Sequence, residues 1–211
     1  MLELTDSETG TVIRAVAANF QPFVNKYDER KYPPAVLDRL RASFRRSETI
    51  TRPEVEAALF WKYGHTGKTN YPDSQRKLAN RIGELWAENA IRPDEDAESA
   101  ITRWQRLLGP TSFITVCFLL HLCRPDTVPI LDQHNFRSVN FHLTNATGRP
   151  PQRAAPRQVR DLTMVRDFIS LVHENWPRWS NGKTPSRTDI DRYLMMHGKW
   201  LKAHKTTDMP A

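Results

Sequence analysis

The sequence predicts an all-α protein, and three observations support this fold class. Apolar residues recur three or four positions apart through most of the chain, the spacing that places them on one face of a helix. Residues typical of helix starts and ends stand at the borders of these segments. No segment alternates apolar and polar residues for long enough to predict a strand. With 39% hydrophobic and 26% charged residues among 211, the composition is that of a globular protein.

Start and stop signals define the individual helices. Pro33 and Pro34 open the first predicted helix, because proline is tolerated in a first helical turn. Thr51 and Glu54 match a capping box for the second, which Gly64 ends. Six further helices are predicted from the same signals. One begins at Asp73 or Ser74, one in the acidic residues 94–96 and ends at Gly109, and one at Thr111 or Ser112 and ends at Pro125. The last three begin near Asp132, near Asp161 (ending about Asn175) and at Ser186 (ending about Lys202).

Residues 144–160 form a predicted loop, because they hold three prolines, a glycine and four arginines without any acidic residue. We expect the 211 residues to form a single compact helical unit with two lobes around a cleft. Lobe one would combine residues of about 30–110 with the C-terminal helices, and a hairpin segment of about 95–143 would carry the candidate site.

The formal net charge of +7 and the pI of about 9.6 favour a polyanionic partner, either nucleic acid or an anionic membrane surface. A basic protein without such a partner remains the alternative. The longest apolar run, Phe113 to Leu120, is much shorter than the ~20 residues of a membrane span, so we expect no membrane partner. Two cysteines indicate reduced thiols, and we expect a cytoplasmic monomer.

The most informative segment runs from Leu107 to Leu143. It reads as the end of a helix, a tight turn at Gly109 and Pro110, an apolar helix, and an apolar loop that leads into Asp132. An acidic residue at a helix start is usually an N-cap, and this local interpretation of Asp132 stays open.

This segment resembles the helix-hairpin-helix DNA glycosylase superfamily, in particular the branch of adenine glycosylase and endonuclease III. In that family two hairpin helices precede an apolar-Pro-apolar-apolar-Asp sequence, with His or Asn two residues later and Arg beyond. Here these places are taken by Pro129, Ile130, Leu131, Asp132, His134 and Arg137. The resemblance covers about 37 of the 211 residues and implies a DNA glycosylase with Asp132 as its catalytic residue.

Two departures from the family pattern qualify this expectation. The family hairpin has two or three glycines that grip a DNA phosphate, whereas this chain has Gly109 followed by Pro110, which lacks an N–H. Thr111 and Ser112 are the candidates to replace that contact. Bifunctional relatives also carry a lysine nucleophile about 18–20 residues before the aspartate, but no lysine lies between Leu107 and Asp132. We therefore expect a monofunctional enzyme.

The chemistry gives Asp132 a role independent of the resemblance. Cleavage of an N-glycosidic bond builds positive charge on the deoxyribose, as in other oxocarbenium-like glycosyl transfers. A fixed carboxylate stabilises that charge and orients the attacking water. His134 and Ser112 are supporting candidates, although His134 equally suits a helix cap or a phosphate contact.

A flipped-out base needs a pocket of aromatic or apolar side chains. Trp61, Tyr63, His65 and Tyr71 surround a polar, glycine-containing turn and are the candidates, with Trp61 in the core and a solvated loop as the alternative. The DNA backbone is expected to contact Gly109, Thr111, Arg137, Arg149, Arg153 and Arg157. No metal site and no cofactor are predicted.

The expected function is removal of a damaged or modified base from double-stranded DNA, with that base flipped out, to leave an abasic site. By resemblance, the candidates include repair enzymes and bacterial anti-phage glycosylases that excise modified cytosine such as glucosylated hydroxymethylcytosine. Two alternatives remain: a non-catalytic helical regulator that binds DNA or RNA, and a helical module whose basic loop meets an acidic protein.

Overall fold

The computed structural model describes residues 2–46, 49–66, 68, 72–92, 94–150 and 154–204. Within these residues the protein is all-helical and contains no strand, so the predicted fold class is confirmed at that level. The helices are α1 (Asp6–Val24), α2 (Pro34–Arg46), α3 (Arg52–Lys62), α4 (Asp73–Asn89), α5 (Ala97–Leu108), α6 (Phe113–Cys123), α7 (Gln133–Thr147), α8 (Val159–Trp179) and α9 (Arg187–Ala203), and Pro110–Ser112 forms a 3₁₀ turn.

The chain divides into two compact units. The central unit is continuous, Asp28–Val128, and holds α2 to α6. The terminal unit joins the residues up to Tyr27 with those from Pro129 onward, so α1 packs against α7, α8 and α9. The structure groups α1 with the C-terminal helices, an association that the predicted lobes did not include. The predicted hairpin segment, 95–143, falls partly in each unit.

Helix α1 precedes the first helix predicted from the sequence. Thr5 and Glu8 form a capping box at its start, in which Glu8 N donates to Thr5 Oγ1 at 3.2 Å and Thr5 N donates to Glu8 Oε2 at 2.7 Å. Its buried face includes Val12, Ile13 and Val16, which follow helical spacing. The same signals that predict α3 therefore also specify α1.

Most predicted boundaries are confirmed, and four need correction. Helix α8 continues four residues beyond the predicted end at Asn175, to Trp179. The loop predicted for residues 144–160 is shorter, because α7 continues through Thr147 and α8 already begins at Val159. Asp161 is therefore not the start of α8 but its capping-box residue, which accepts from the backbone N–H of Gln158 at 3.0 Å. The N-cap of α4 is Pro72, so neither Asp73 nor Ser74 caps it.

Candidate active site

Asp132 lies at the start of α7, immediately after the buried Leu131. Its Oδ1 accepts hydrogen bonds from the backbone N–H groups of His134 at 2.6 Å and Asn135 at 2.8 Å. In return, Asp132 N donates to Asn135 Oδ1 at 2.9 Å, which completes a reciprocal capping box. The N-cap interpretation of Asp132 is thus confirmed, and its catalytic role stays a prediction. The cap also fixes the orientation of the carboxylate, because Oδ1 is held by two donors.

Asn135 connects this cap to α9. Its buried amide donates to the carbonyl of Ile130 and, at 3.2 Å, to Asp191 Oδ1. Asn135 therefore contacts two carboxylates: its backbone N–H donates to Asp132 and its side-chain amide donates to Asp191 of α9. Sequence reasoning missed Asp191, because it lies 56 residues after Asn135 and no motif marks it.

His134 and Arg137 lie on the first turns of α7. Burial lowers the pKa of His134, and the cations of Lys199, Arg137 and Lys202 lower it further, whereas the negative charge of Asp132 raises it. The imidazole is therefore mainly neutral at pH 7. Arg137 Nη1 lies 3.3 Å from His134 Nδ1 and donates to the carbonyl of Gly198 at 3.3 Å. Arg137 thus links α7 to α9, a contact that its predicted role at the DNA backbone did not include.

Gly198 allows α9 to approach the first turn of α7 very closely. A Cβ at this position would lie 1.8 Å from the carbonyl oxygen of His134 and 2.5 Å from its carbonyl carbon. Both atoms belong to the backbone, so a rotamer change cannot relieve the contact. A glycine at position 198 is therefore required for the observed position of the turn that carries Asp132.

The predicted hairpin turn lies in the central unit. Gly109 ends α5 with a φ of +92°, a conformation that favours glycine. Ser112 is buried, and its hydroxyl donates to the carbonyl of Gly109 at 2.6 Å, so this hydroxyl stabilises the turn itself. Thr111 is exposed. The phosphate contacts predicted for Gly109 and Thr111, and the supporting role of Ser112, stay predictions.

The predicted base pocket requires one correction. Trp61 is only 4% exposed, its ring is stacked on Phe118 at 5.8 Å, and its Nε1 donates to the carbonyl of Pro33 at 3.0 Å. It is a core residue of the central unit, because its helical spacing places it on the inner face of α3. Tyr63 is 37% exposed, His65 is half-buried, and Tyr71 lies outside the described residues.

The arginines predicted to contact DNA differ in their surroundings. Arg149 is exposed and lines a cavity of about 290 Å³ in the terminal unit, where the end of α7, the start of α8 and residues 2–4 meet. Arg157 is also exposed, and its backbone N–H donates to Asp161 Oδ2 at 2.7 Å. Arg153 lies outside the described residues. Arg149 and Arg157 are therefore exposed residues of the described part of the chain.

Histidines that are far apart in the sequence meet in the core of the terminal unit. The rings of His142 and His197 lie 4.9 Å apart, and burial lowers their pKa values to about 3 and about 4. In the described part of the chain, no three His, Cys, Asp or Glu side chains are arranged to hold a metal ion. None of the described helices combines the length and apolar character needed to cross a membrane.

Comparison with known proteins yields no match: no family model, no curated protein and no solved structure is significantly similar to this chain.

Proposed function

We propose that this protein is a monofunctional DNA glycosylase in which Asp132 is the catalytic residue. The observation that carries the proposal is the fixed, half-buried carboxylate at the start of α7, whose Oδ1 is held by two backbone N–H groups. The positive end of the helix dipole favours a negative charge at this place. A preoriented carboxylate suits a reaction that develops positive charge on the deoxyribose.

The neighbouring groups support hydrolysis by an activated water. Both cap hydrogen bonds end on Oδ1, and within the described residues Oδ2 accepts none, so Oδ2 is the oxygen assigned to the water or the sugar. His134 follows two residues later, but its Nδ1 lies 3.3 Å from the Arg137 guanidinium, which can only donate, so accepting the proton from the water is assigned to Asp132. No lysine lies between Leu107 and Asp132, which supports a product that stops at the abasic site.

The proposed substrate is double-stranded DNA with a damaged or modified base in a flipped-out position. The net charge of +7 and the exposed Arg149 and Arg157 favour binding to a phosphate backbone. Within this class we propose modified cytosine, such as glucosylated hydroxymethylcytosine of phage DNA, as the first base to assay, followed by oxidised bases.

Asp132→Asn tests the catalytic role with the least structural change. Asparagine is as good an N-cap as aspartate, so the bonds to His134 N and Asn135 N are expected to persist while the charge is lost. We expect base excision to fall by at least ~10²-fold with DNA affinity nearly unchanged. Excision is measured as abasic sites in modified phage DNA and in duplexes with oxidised bases, and strands should break only after alkali treatment.

Asp96→Asn is the matched control. Asp96 is the N-cap of α5, and its side chain accepts from Ser99 N at 2.9 Å in the same manner. This variant should excise at the wild-type rate. If Asp132→Asn is equally active, Asp132 is a helix cap only. If the wild-type protein binds these DNAs without releasing any base, the protein is a non-catalytic nucleic-acid-binding regulator and the enzyme proposal is wrong.

A further inference from the structure

A row of stacked rings follows one side of α9. Tyr193 and His197 are stacked with centroids 5.5 Å apart, His197 and Trp200 at 6.0 Å, and Trp200 and His204 at 4.7 Å. The interplanar angles are 14°, 13° and 26°, so the four rings are nearly parallel. The spacing of four, three and four residues places them on one helix face.

The row begins in the core and ends at the surface. Tyr193 is fully buried and His197 is 5% exposed, whereas Trp200 is 37% exposed and His204 is exposed. Tyr193 and His197 are also packed by Phe23, which anchors the inner rings. The outer two rings therefore extend a rigid stack to the surface, and a planar ligand can continue such a stack without any change in the protein.

Cations surround the exposed end of the row. Lys26 Nζ lies 4.9 Å from the ring centroid of Phe23, and that ring contacts Trp200 at 6.0 Å. Lys199 and Lys202 flank Trp200 in α9, and both lie close enough to His134 for their charges to lower its pKa. The stack is thus placed beside positive charge and packs against Phe23 of α1.

We propose that the exposed end of α9, formed by Trp200 and His204 with the cations of Lys26, Lys199 and Lys202, binds single-stranded DNA. An unpaired nucleobase continues the stack at its exposed end, beyond His204 and over the exposed part of Trp200, and the lysines contact the phosphates on either side. We call this site the α9 platform. The proposal takes from the proposed function only that DNA is the ligand and does not depend on catalysis by Asp132.

Charge and stacking together identify the ligand class. Cations alone fit any anion and an aromatic ring alone fits any planar group, but phosphates that alternate with planar bases require both within one strand. Base flipping opens a strand and leaves unpaired bases, and such a strand is the ligand that a stacking site flanked by cations would hold.

The test compares Trp200→Leu with Trp200→Phe, because phenylalanine keeps the aromatic face and leucine keeps only apolar volume. Affinity is measured at one salt concentration for oligothymidylate and for a strand of equal length built from base-free sugars. We expect Trp200→Leu to weaken oligothymidylate binding about 5- to 100-fold, the effect of losing one stacked base, and to leave base-free binding unchanged. Trp200→Phe should stay close to wild type.

Thermal melts establish that the variants are folded, and His204→Leu provides a second variant at an exposed position. Equal affinity of the wild type, Trp200→Leu and His204→Leu for oligothymidylate would overturn the proposal. Tighter binding to an RNA strand of matching sequence would overturn the assignment to DNA.

The lysines are tested by salt dependence. Lys202→Ala should reduce the salt slope by about one for both strands, because one phosphate contact is lost regardless of the base. Lys183→Ala, at an exposed position between α8 and α9, is the control and should leave the slope unchanged. Equal reductions in both variants would show a diffuse charge effect and overturn the local site.

These outcomes separate the platform from the glycosylase proposal. Base-dependent binding that requires Trp200, in a protein that releases no base, would support the platform and contradict the enzyme. Base excision by a protein whose strand binding is insensitive to Trp200 and His204 would support the enzyme and contradict the platform.

Discussion

Helices α6 and α7 follow each other in the chain but are specified in different ways. Helix α6 is buried on all sides, and its buried residues are almost entirely apolar. Helix α7 buries six residues, of which four are polar: Asn135, Ser138, Asn140 and His142. Helix α6 is stabilised mainly by the packing of apolar side chains, and α7 by hydrogen bonds of particular buried polar groups. Apolar volume is easy to recognise in a sequence, whereas the partners of buried polar groups are not.

The buried histidines show this difference at the level of single atoms. On α6, His121 Nδ1 lies 2.7 Å from the carbonyl of Val128, and its Nε2 lies 2.9 Å from Arg41 Nη2, so both ring nitrogens have partners. On α7, His142 Nε2 lies 3.0 Å from the Tyr193 hydroxyl, while its Nδ1 has no hydrogen-bond partner in the described residues. Helix α7 therefore retains an incompletely satisfied group in its core, which carries a cost in stability.

The largest effect is expected for a cavity in α6. Phe118 is fully buried and is stacked against Trp61, so Phe118→Ala removes volume that nearby side chains cannot refill. We expect unfolding free energy to fall by about 3–5 kcal/mol, measured by urea denaturation. Leu120→Met conserves volume in the same helix and should cost under about 1.5 kcal/mol. A similar loss for both variants would contradict the view that apolar volume is the main stabilising factor of α6.

The next effect concerns the contact between α7 and α9. Gly198→Ala should lower the free energy of unfolding by about 3 kcal/mol, because its Cβ would overlap the His134 backbone. Gly83→Ala in α4 is the control, since its Cβ would meet Arg52 at 3.4 Å or more. That substitution should be neutral or stabilise by up to about 1 kcal/mol through helix propensity. Equal stability of Gly198→Ala and wild type would show that α9 can move away from α7 freely.

The candidate site and its surroundings show which features the sequence can predict and which it cannot. The helix start at Asp132 and the end of α5 at Gly109 follow from local rules, and both are confirmed. Gly198 and Asp191 could not be identified, because their importance arises from contacts with residues more than 50 positions away. Trp61 fits a core and a pocket equally well by pattern, since an aromatic residue at helical spacing carries no information on what covers it. Only the fold decides between them.

A further effect is a pH dependence, which arises from the histidines buried in the terminal unit. Unfolded histidines have a pKa of about 6.5, whereas burial lowers the pKa of His142 to about 3 and that of His197 to about 4. Between these values the unfolded chain binds more protons, so stability falls as the pH decreases from about 6.5 towards 4. Each such group contributes roughly 1.4 kcal/mol per pH unit in that window.

The double variant His142→Phe with Tyr193→Phe isolates one of these groups. It replaces both hydrogen-bonding partners by apolar rings, so no buried hydroxyl is left unpaired. Urea midpoints at pH 7, 6 and 5 should show a shallower pH slope than the wild type, reduced by the share of one histidine. An unchanged slope would show that His142 binds its proton at the same pH in the folded and the unfolded protein, which would contradict a lowered pKa.

The central unit is inserted in the sequence of the terminal unit, so it is synthesised before the terminal unit is complete. Helix α1 leaves the ribosome first, but its packing partners α7, α8 and α9 begin more than one hundred residues later. The central unit is continuous and can acquire its core while the rest is still being made. Until α7 emerges, none of these packing partners is present to cover Val12, Ile13 and Val16. The nascent chain thus exposes an apolar helix for most of its translation, a target for chaperones and proteases that the finished protein conceals.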